Sequence, residues 1–406
     1  MEQLINKYEA KLIQAGLGEP SGPCRPIVGG LDHSLAWNRT GPETEVLAPL
    51  FSAMAINSLV CLRPAAPYGR IIGFLADQAL GSGNPIRPTD CETRTFLHDL
   101  PVVPELSTEQ IQKELRQRKC VIVADHNKAG ASAAPAIVAH GTVSPEQGFV
   151  VASSVVFACF VKFFSDYLTL LRAGSATDRM HRLYDEMLPT LTQPPPELPD
   201  LIRGPLDTEE AVYAAMVQAG RKTVEYGLVD SYFGNISYCR NNTLYISQTG
   251  SSLDELQGCI DPVPLDGSSS AGLTASSELT AHLETVARTS ANAILHGHPR
   301  FSVILSMDCD PVQKQMCKFS DRCHTHCPKE RSVNRIPVVP GEVGTGLTGL
   351  CHTLPPAFEK APGVIVYGHG LFTIGKNDFR EAFAILMDVE TRCQKTYMDK
   401  VNRLRN

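Results

Sequence analysis

The sequence predicts an α/β protein built from two domains of similar size. Three observations carry that expectation. The chain has 406 residues, with 43% hydrophobic and 20% charged, enough for two proper cores. Short apolar runs of strand character alternate with longer segments of helical periodicity. Near the middle, residues 191–206 read LTQPPPELPDLIRGPL, a proline-rich stretch of the kind that forms a semi-rigid linker. The expected domains are therefore residues 1–190 and 207–406.

The two halves also echo one another. Glu43 is followed eighteen residues later by Cys61-Leu62-Arg63-Pro64, and Glu278 at the same distance by His296-Gly297-His298-Pro299. Pro101-Val102-Val103-Pro104 matches Pro337-Val338-Val339-Pro340, each ten positions after a cysteine, Cys91 and Cys327. The segment 121–126 matches 364–369, and 141–149 lies against 375–383. A tandem repeat of one domain is the simplest account. The first copy has diverged where chemistry would sit. Cys61 and Arg63 stand at the two histidine positions, and a guanidinium has no lone pair to give a metal. It reads as a degenerate, non-catalytic copy; the alternative is an anion pocket of Arg63, Arg70 and His126.

Composition bounds the rest. The net charge of −6 gives no basic bias toward nucleic acid. The opening MEQLINKYEAKLIQAGL reads as an amphipathic charged helix and not a signal peptide. Thirteen cysteines, an odd number scattered along the chain, point away from a secreted disulfide framework and toward a reducing cytoplasm. The apolar run 149–171 is long enough to span a membrane, but Lys162 and Asp166 interrupt it, so a buried helix and no membrane partner are expected. Before it, Ser144 and Pro145 read as an N-cap and first-turn proline.

In the second half, Asp207-Thr208-Glu209-Glu210 caps a helix running through AVYAAMVQAGRKTVEYGL. Gly234-Asn235 leads into strands at 236–239 and 243–247 around an Arg240-Asn241-Asn242 turn. The loop Gln248-Thr249-Gly250-Ser251-Ser252 carries small hydroxyls and backbone amides; it suits an anion or is a plain turn. The stretch 276–299, SSELTAHLETVARTSANAILHGHP, places a carboxylate before a helix, then a short apolar run, then two histidines one residue apart. At a strand end, residues i and i+2 point the same way, so His296 and His298 present two imidazoles to one point. His369 follows a second apolar run, 364–366. Three histidines with a nearby glutamate suit a catalytic zinc with its own base. Histidines after strands are also often ordinary satisfied residues, and spacing alone leaves both readings open.

The motifs taken together decide more. Gly234-Asn235-Ile236-Ser237, Ile246-Ser247-Gln248-Thr249-Gly250, Ser276-Ser277-Glu278, His296-Gly297-His298-Pro299, and a close of His369-Gly370, Gly375 and Glu390 occur in order between about 205 and 395. This region resembles the class II aldolase/adducin family. The resemblance implies α/β domains with a central, mostly antiparallel sheet flanked by helices in three layers. It implies one Zn2+ per chain held by His296, His298 and His369, stabilising an enediolate while a carbon–carbon bond breaks or forms. Glu278 would be the general base, its charge helped by the helix start behind it. Asn235, Thr249, Gly250, Ser276 and Ser277 would cradle the phosphate or carboxylate of a small phosphorylated sugar or related polyol. Family members form fourfold rings, so a homo-oligomer is expected.

Two departures qualify the resemblance. The family's proline before Thr-Gly is Gln248 here. The tyrosine acid of family aldolases has no counterpart between Pro299 and Val366, where Glu342 is the candidate second acid. Use of Glu342 would favour a dehydratase or epimerase over an aldolase; a non-catalytic adducin-like module is the third class, which the intact histidines oppose. The same segment holds Cys309, Cys317, Cys323, His324, His326 and Cys327, dense enough to suggest a second metal or cluster, although the spacing forms no compact CxxC pair.

Overall fold

The computed structural model describes residues 1–124, 134–191, 195, 197–229 and 232–406. Two compact units are present, Met1–Thr192 and Gln193–Asn406. Each is a mixed α/β unit with its own sheet.

The first unit contains β1 (Ile27–Leu31), β2 (Leu35–Trp37), β3 (Ser58–Leu62), β4 (Val102–Val103), β5 (Cys120–Val123) and β6 (Ala136–Gly141). They run in the order β2-β1-β3-β6-β5-β4, antiparallel except for the β4–β5 pair. Strands β3 and β5 are buried along their whole length, which explains their continuous apolar sequences. The helix Pro145–Arg172 packs along β6, β3 and the helix Tyr68–Ser82. Its length and composition would allow a membrane crossing, yet 83% of its most apolar window is buried inside the unit. Phe160, Phe163, Phe164 and Tyr167 form a ring ladder that reaches Tyr184.

The second unit contains β7 (Asn235–Arg240), β8 (Thr243–Ser247), β9 (Ile260–Pro264), β10 (Ala293–Gly297), β11 (Arg331–Val333), β12 (Ile336–Val339), β13 (Gly363–Val366) and β14 (Gly370–Gly375). Their order is β11-β12-β13-β14-β10-β7-β8-β9, antiparallel except for β12–β13. The β7–β8 hairpin turns through Asn241 and Asn242, both at positive φ (48° and 60°), a conformation asparagine tolerates and two-residue hairpins need. Ile294, Val364, Val366 and Phe372 form a core with Ala281, Leu350 and Leu354 from the helices Leu279–Arg288 and Leu350–Phe358. The long helix Phe379–Arg405 packs on β14, β10 and β13. The strand period of two sorts each strand's side chains between these layers.

Six neighbouring strands of the second sheet, β8-β7-β10-β14-β13-β12, repeat the order and sense of β2-β1-β3-β6-β5-β4. Registers coincide too. Cys61 faces Ile27 as His296 faces Asn235, and Ser58 faces Gly141 as Ala293 faces Gly375. Val102 and Val103 lie beside Ile122 and Val123 as Val338 and Val339 lie beside Ile365 and Val366. Strands β9 and β11 are additional edges of the second sheet.

The end of the proline-rich stretch is more than a spacer. Leu201 and Leu206 are buried, Ile202 N donates to Gln218 Oε1, and Gly204 N donates to Asp378 Oδ2. Leu206 N donates to the Tyr238 hydroxyl, which itself donates to Asn377 O. This one phenol pins the stretch to the second unit. Tyr238→Phe leaves the buried Leu206 amide unpaired and should cost about 1–3 kcal/mol. Urea unfolding measures this, and an unchanged midpoint would contradict the packing described.

Candidate metal centre

Strand β10 and the turn after β13 build the centre. His296 is directly opposite Phe372 across the β10–β14 ladder, and their rings stack nearly parallel (8°) with centroids 3.7 Å apart. Its Nδ1 donates to Leu371 O at 3.2 Å, which leaves Nε2 with a lone pair. His298 follows the strand end, and its Nε2 is 3.0 Å from His296 Nε2. His369 enters from a turn in which Gly368 takes φ +58° and donates its N–H to Ser306 Oγ. Gly370 is a steric requirement. A Cβ there would lie 2.6 Å from His296 Cε1 and 2.9 Å from His298 Cδ2, where no side chain fits.

The three imidazoles offer nitrogens within 4.8 Å of one another. All three rings are buried. Burial first, and then the neighbouring imidazoles, push His296 and His298 well below the ordinary histidine range. The rings are thereby kept neutral, the state in which histidine is a ligand. A tetrahedral zinc with Zn–N of 2.0–2.1 Å sets ligand nitrogens roughly 3.3 Å apart. The observed cluster brackets that spacing, and the facing Nε2 atoms of His296 and His298 are what a shared cation would satisfy. The donor set fits zinc.

Glu278 lies beside the triad. It is buried at the N-terminus of the helix Leu279–Arg288, with Oε1 3.4 Å from His369 Nε2 and Oε2 3.7 Å from His296 Nε2. Asn235, the first residue of β7, donates Nδ2 to Glu278 Oε2 at 2.5 Å. Its Oδ1 meets His282 Nε2 at 2.7 Å, and His282 Nδ1 meets Ser237 Oγ at 2.7 Å. Sequence reasoning missed Ser237 and His282. The available signal was that Glu278 and His282 are one helical turn apart and share a face.

The other predicted groups form a neighbouring rim. Thr249 N donates to Thr274 O and Ser276 N donates to Ser247 O, so the 248–252 and 274–277 segments run side by side. Glu278 N in turn donates to Ser276 Oγ. Gln248 donates Nε2 to Asp261 Oδ1 at 2.7 Å, and Thr274 donates to Asp261 Oδ2 at 2.5 Å. Asp261 thus fixes a loop shape that Gln248 left open in the sequence. Thr249, Gly250 and Ser277 are exposed, whereas Ser276 is buried.

Other candidates lie apart from this cluster. Glu342 is on an exposed loop, where its carboxylate accepts from Thr348 Oγ1 at 2.7 Å. Cys309, Cys317, Cys323 and Cys327 are free, half-buried thiols. Among the described residues, His296, His298 and His369 are the one group of three or more metal-binding side chains close enough to share an ion. The expected second metal therefore lacks a ligand set, because the turns there direct Cys323 Sγ to the carbonyls of Phe319 and Ser320. In the first unit, Arg63 is buried, donates to Ala134 O at 2.5 Å, and lies 3.9 Å from Glu43 Oε1. Arg70 instead pairs with Glu186 at the surface, so it does not complete an anion pocket with Arg63. His126 lies outside the described residues.

Comparison with known proteins places part of the chain. Residues 214–397 match the family described as Class II Aldolase and Adducin N-terminal domain. Among solved structures, an L-fuculose-1-phosphate aldolase from Thermus thermophilus is 23% identical, covering 48% of this chain and 97% of its own, at a TM-score of 0.38. YgbL from Escherichia coli, described as a putative aldolase/epimerase/decarboxylase, is 18% identical over 49% of this chain and 99% of its own, also at 0.38. A sugar-phosphate aldolase from Thermotoga maritima is 16% identical over 48% and 97%, at 0.35. No curated protein matches the chain at a significant level.

Two outcomes follow from the geometry. Gly370→Ala should displace the rings of His296 and His298 and weaken zinc binding at least about 10-fold, as outer-shell changes do, measured by competition with a chelating dye. Unchanged affinity would contradict the packing. In metal-free protein, His282, held down to about 3 by burial, and His296 and His298, also depressed, stay neutral when folded but bind protons when unfolded. Their stabilisation is present above the unfolded value near 6.5 and is lost as pH falls below it. Each contributes a slope of about 1.4 kcal/mol per pH unit. Urea midpoints of metal-free protein should fall between pH 7.5 and 5.5; a flat profile would contradict neutral burial.

Proposed function

We propose that the second unit is a zinc-dependent lyase that cleaves or forms a carbon–carbon bond in a small phosphorylated sugar. The observation that carries this reading is the convergence of three buried imidazoles with a buried carboxylate 3.4–3.7 Å from two of them. The family match over residues 214–397 supports the same class of chemistry. Bound to His296, His298 and His369, zinc would supply a Lewis acid that polarises substrate oxygens. Glu278, near the metal ligands and held by Asn235, takes and returns the proton at the reacting substrate. Amides and hydroxyls of Thr249, Gly250, Ser276 and Ser277 hold the substrate's anionic group. A dehydratase or epimerase would need a further acid such as Glu342, whose carboxylate is held by Thr348 on an exposed loop, so the lyase reading stands first.

We also infer that the first unit is a diverged copy of the same domain. Support comes from the shared strand order, the coincident registers and the sequence echoes. Arg63 takes the place of His298 in that comparison and donates a hydrogen bond to Ala134 O, whereas a ligand would give a lone pair to a metal. One zinc per chain is the corollary. The setting we propose is a homo-oligomer in a reducing cytoplasm, in keeping with thirteen cysteines in the thiol form.

Metal analysis and a cleavage assay on L-fuculose 1-phosphate and related ketose phosphates test the proposal. Wild type should hold one zinc and His298→Ala none. Glu278→Gln should keep the zinc and lose about 10²–10⁴-fold in kcat. A chain that takes up no zinc on reconstitution, or a Glu278→Gln variant with full activity, would overturn it.

A further inference from the structure

Behind Glu278 lies a continuous buried chain of side chains that substrate binding does not require. Ser237, His282, Asn235 and Glu278 are all buried, with successive contacts of 2.7, 2.7 and 2.5 Å. The directions of these bonds follow from donor and acceptor identity. Glu278 as a carboxylate only accepts, so Asn235 must present its NH2 group to it, which turns Oδ1 toward His282. An amide oxygen also only accepts, so His282 carries its hydrogen on Nε2. Burial keeps His282 neutral, and its Nδ1 is then an acceptor for the Ser237 hydroxyl. If the amide were rotated by half a turn, oxygen would face the carboxylate and NH2 would face the imidazole N–H, two repulsive contacts. The Nε2–H tautomer of His282 therefore holds Asn235 in the one orientation that the Glu278 carboxylate also requires.

We propose that Ser237, His282 and Asn235 form a positioning chain for Glu278, so that the Asn235 side chain serves the carboxylate and not a substrate anion. This rests on the reading of Glu278 as the base. Asn235 Nδ2 gives one hydrogen to Glu278 and Oδ1 pairs with His282, so the orientation of the side chain is fixed within the chain. The restraint acts on Oε2, the oxygen 3.7 Å from His296 Nε2, and keeps the carboxylate beside the triad. His282 and Ser237 are then positioning residues that act through Asn235.

The test has two arms. The first is imidazole ¹⁵N NMR of the full-length protein, with the His282 resonances identified by their loss in His282→Gln. His282 should be a neutral Nε2–H tautomer from pH 5.5 to 8.5, and its shifts should move in Asn235→Ala. Titration near the ordinary histidine value, the Nδ1–H tautomer, or shifts indifferent to Asn235→Ala would overturn the chain. The second arm is steady-state cleavage of a ketose phosphate by zinc-loaded protein. Asn235→Ala and His282→Leu should each lower kcat about 10–100-fold with KM changed by less than about twofold. His282→Gln, which can still donate to Asn235 Oδ1, should recover most of the loss. A raised KM with unchanged kcat in Asn235→Ala, alongside wild-type behaviour of His282→Leu, would make Asn235 an anion ligand and overturn the proposal. A wild type without turnover would count against the lyase reading alone, and the NMR arm would still decide the positioning chain.

Discussion

Three imidazoles meeting at one buried point set the constraint on which the second unit is built. Imidazoles that close cannot all be charged, and burial disfavours a proton on any of them. Such a cluster is costly unless its lone pairs find a partner, and a divalent cation is the partner its chemistry suits. The surroundings serve that arrangement. Leu371 O fixes the tautomer of His296, Phe372 supplies a flat wall, and Gly370 leaves the volume the rings occupy.

A single short helix, Arg300–Met307, braces both ligand-bearing segments. Its first-turn amides at Phe301 and Ser302, with the Ser302 hydroxyl, donate to Glu390, all at 2.8 Å. This fixes the chain immediately after His298. Near its other end, Ser306 Oγ accepts from Gly368 N, fixing the chain immediately before His369. Burial raises the Glu390 carboxyl, and the bonds from Phe301 and Ser302 pull it back. The long helix Phe379–Arg405 that carries Glu390 also covers β10 and β14, so packing of the sheet and aim of the ligands are one structural problem.

How much of this was legible in the sequence depended on the range of each interaction. His296 and His298 declared themselves because the strand period forces alternate residues to one side, and His369 because it follows a second apolar run. Glu278 was found from its place before a helix. The partners that hold these groups were hidden. His282 lies on the buried face of the helix Leu279–Arg288 and looks like any core histidine until Asn235 and Ser237 are placed beside it. Asp261 controls the loop at Gln248 from thirteen residues away, a pairing that only the sheet creates. The Cys-His-Thr-His-Cys run misled for the opposite reason. Its composition resembles a metal site, but local turns direct the Cys323 thiol to backbone carbonyls.

X-ray absorption at the zinc edge, on full-length protein reconstituted with one equivalent of zinc, tests the central claim most directly. The arrangement of His296, His298 and His369 predicts a shell of nitrogen and oxygen only, near 2.0–2.1 Å, with outer scattering from about three imidazoles. A shell containing sulfur near 2.3 Å would place the metal on cysteines instead. That result would remove the basis for reading the three histidines and Glu278 as one centre.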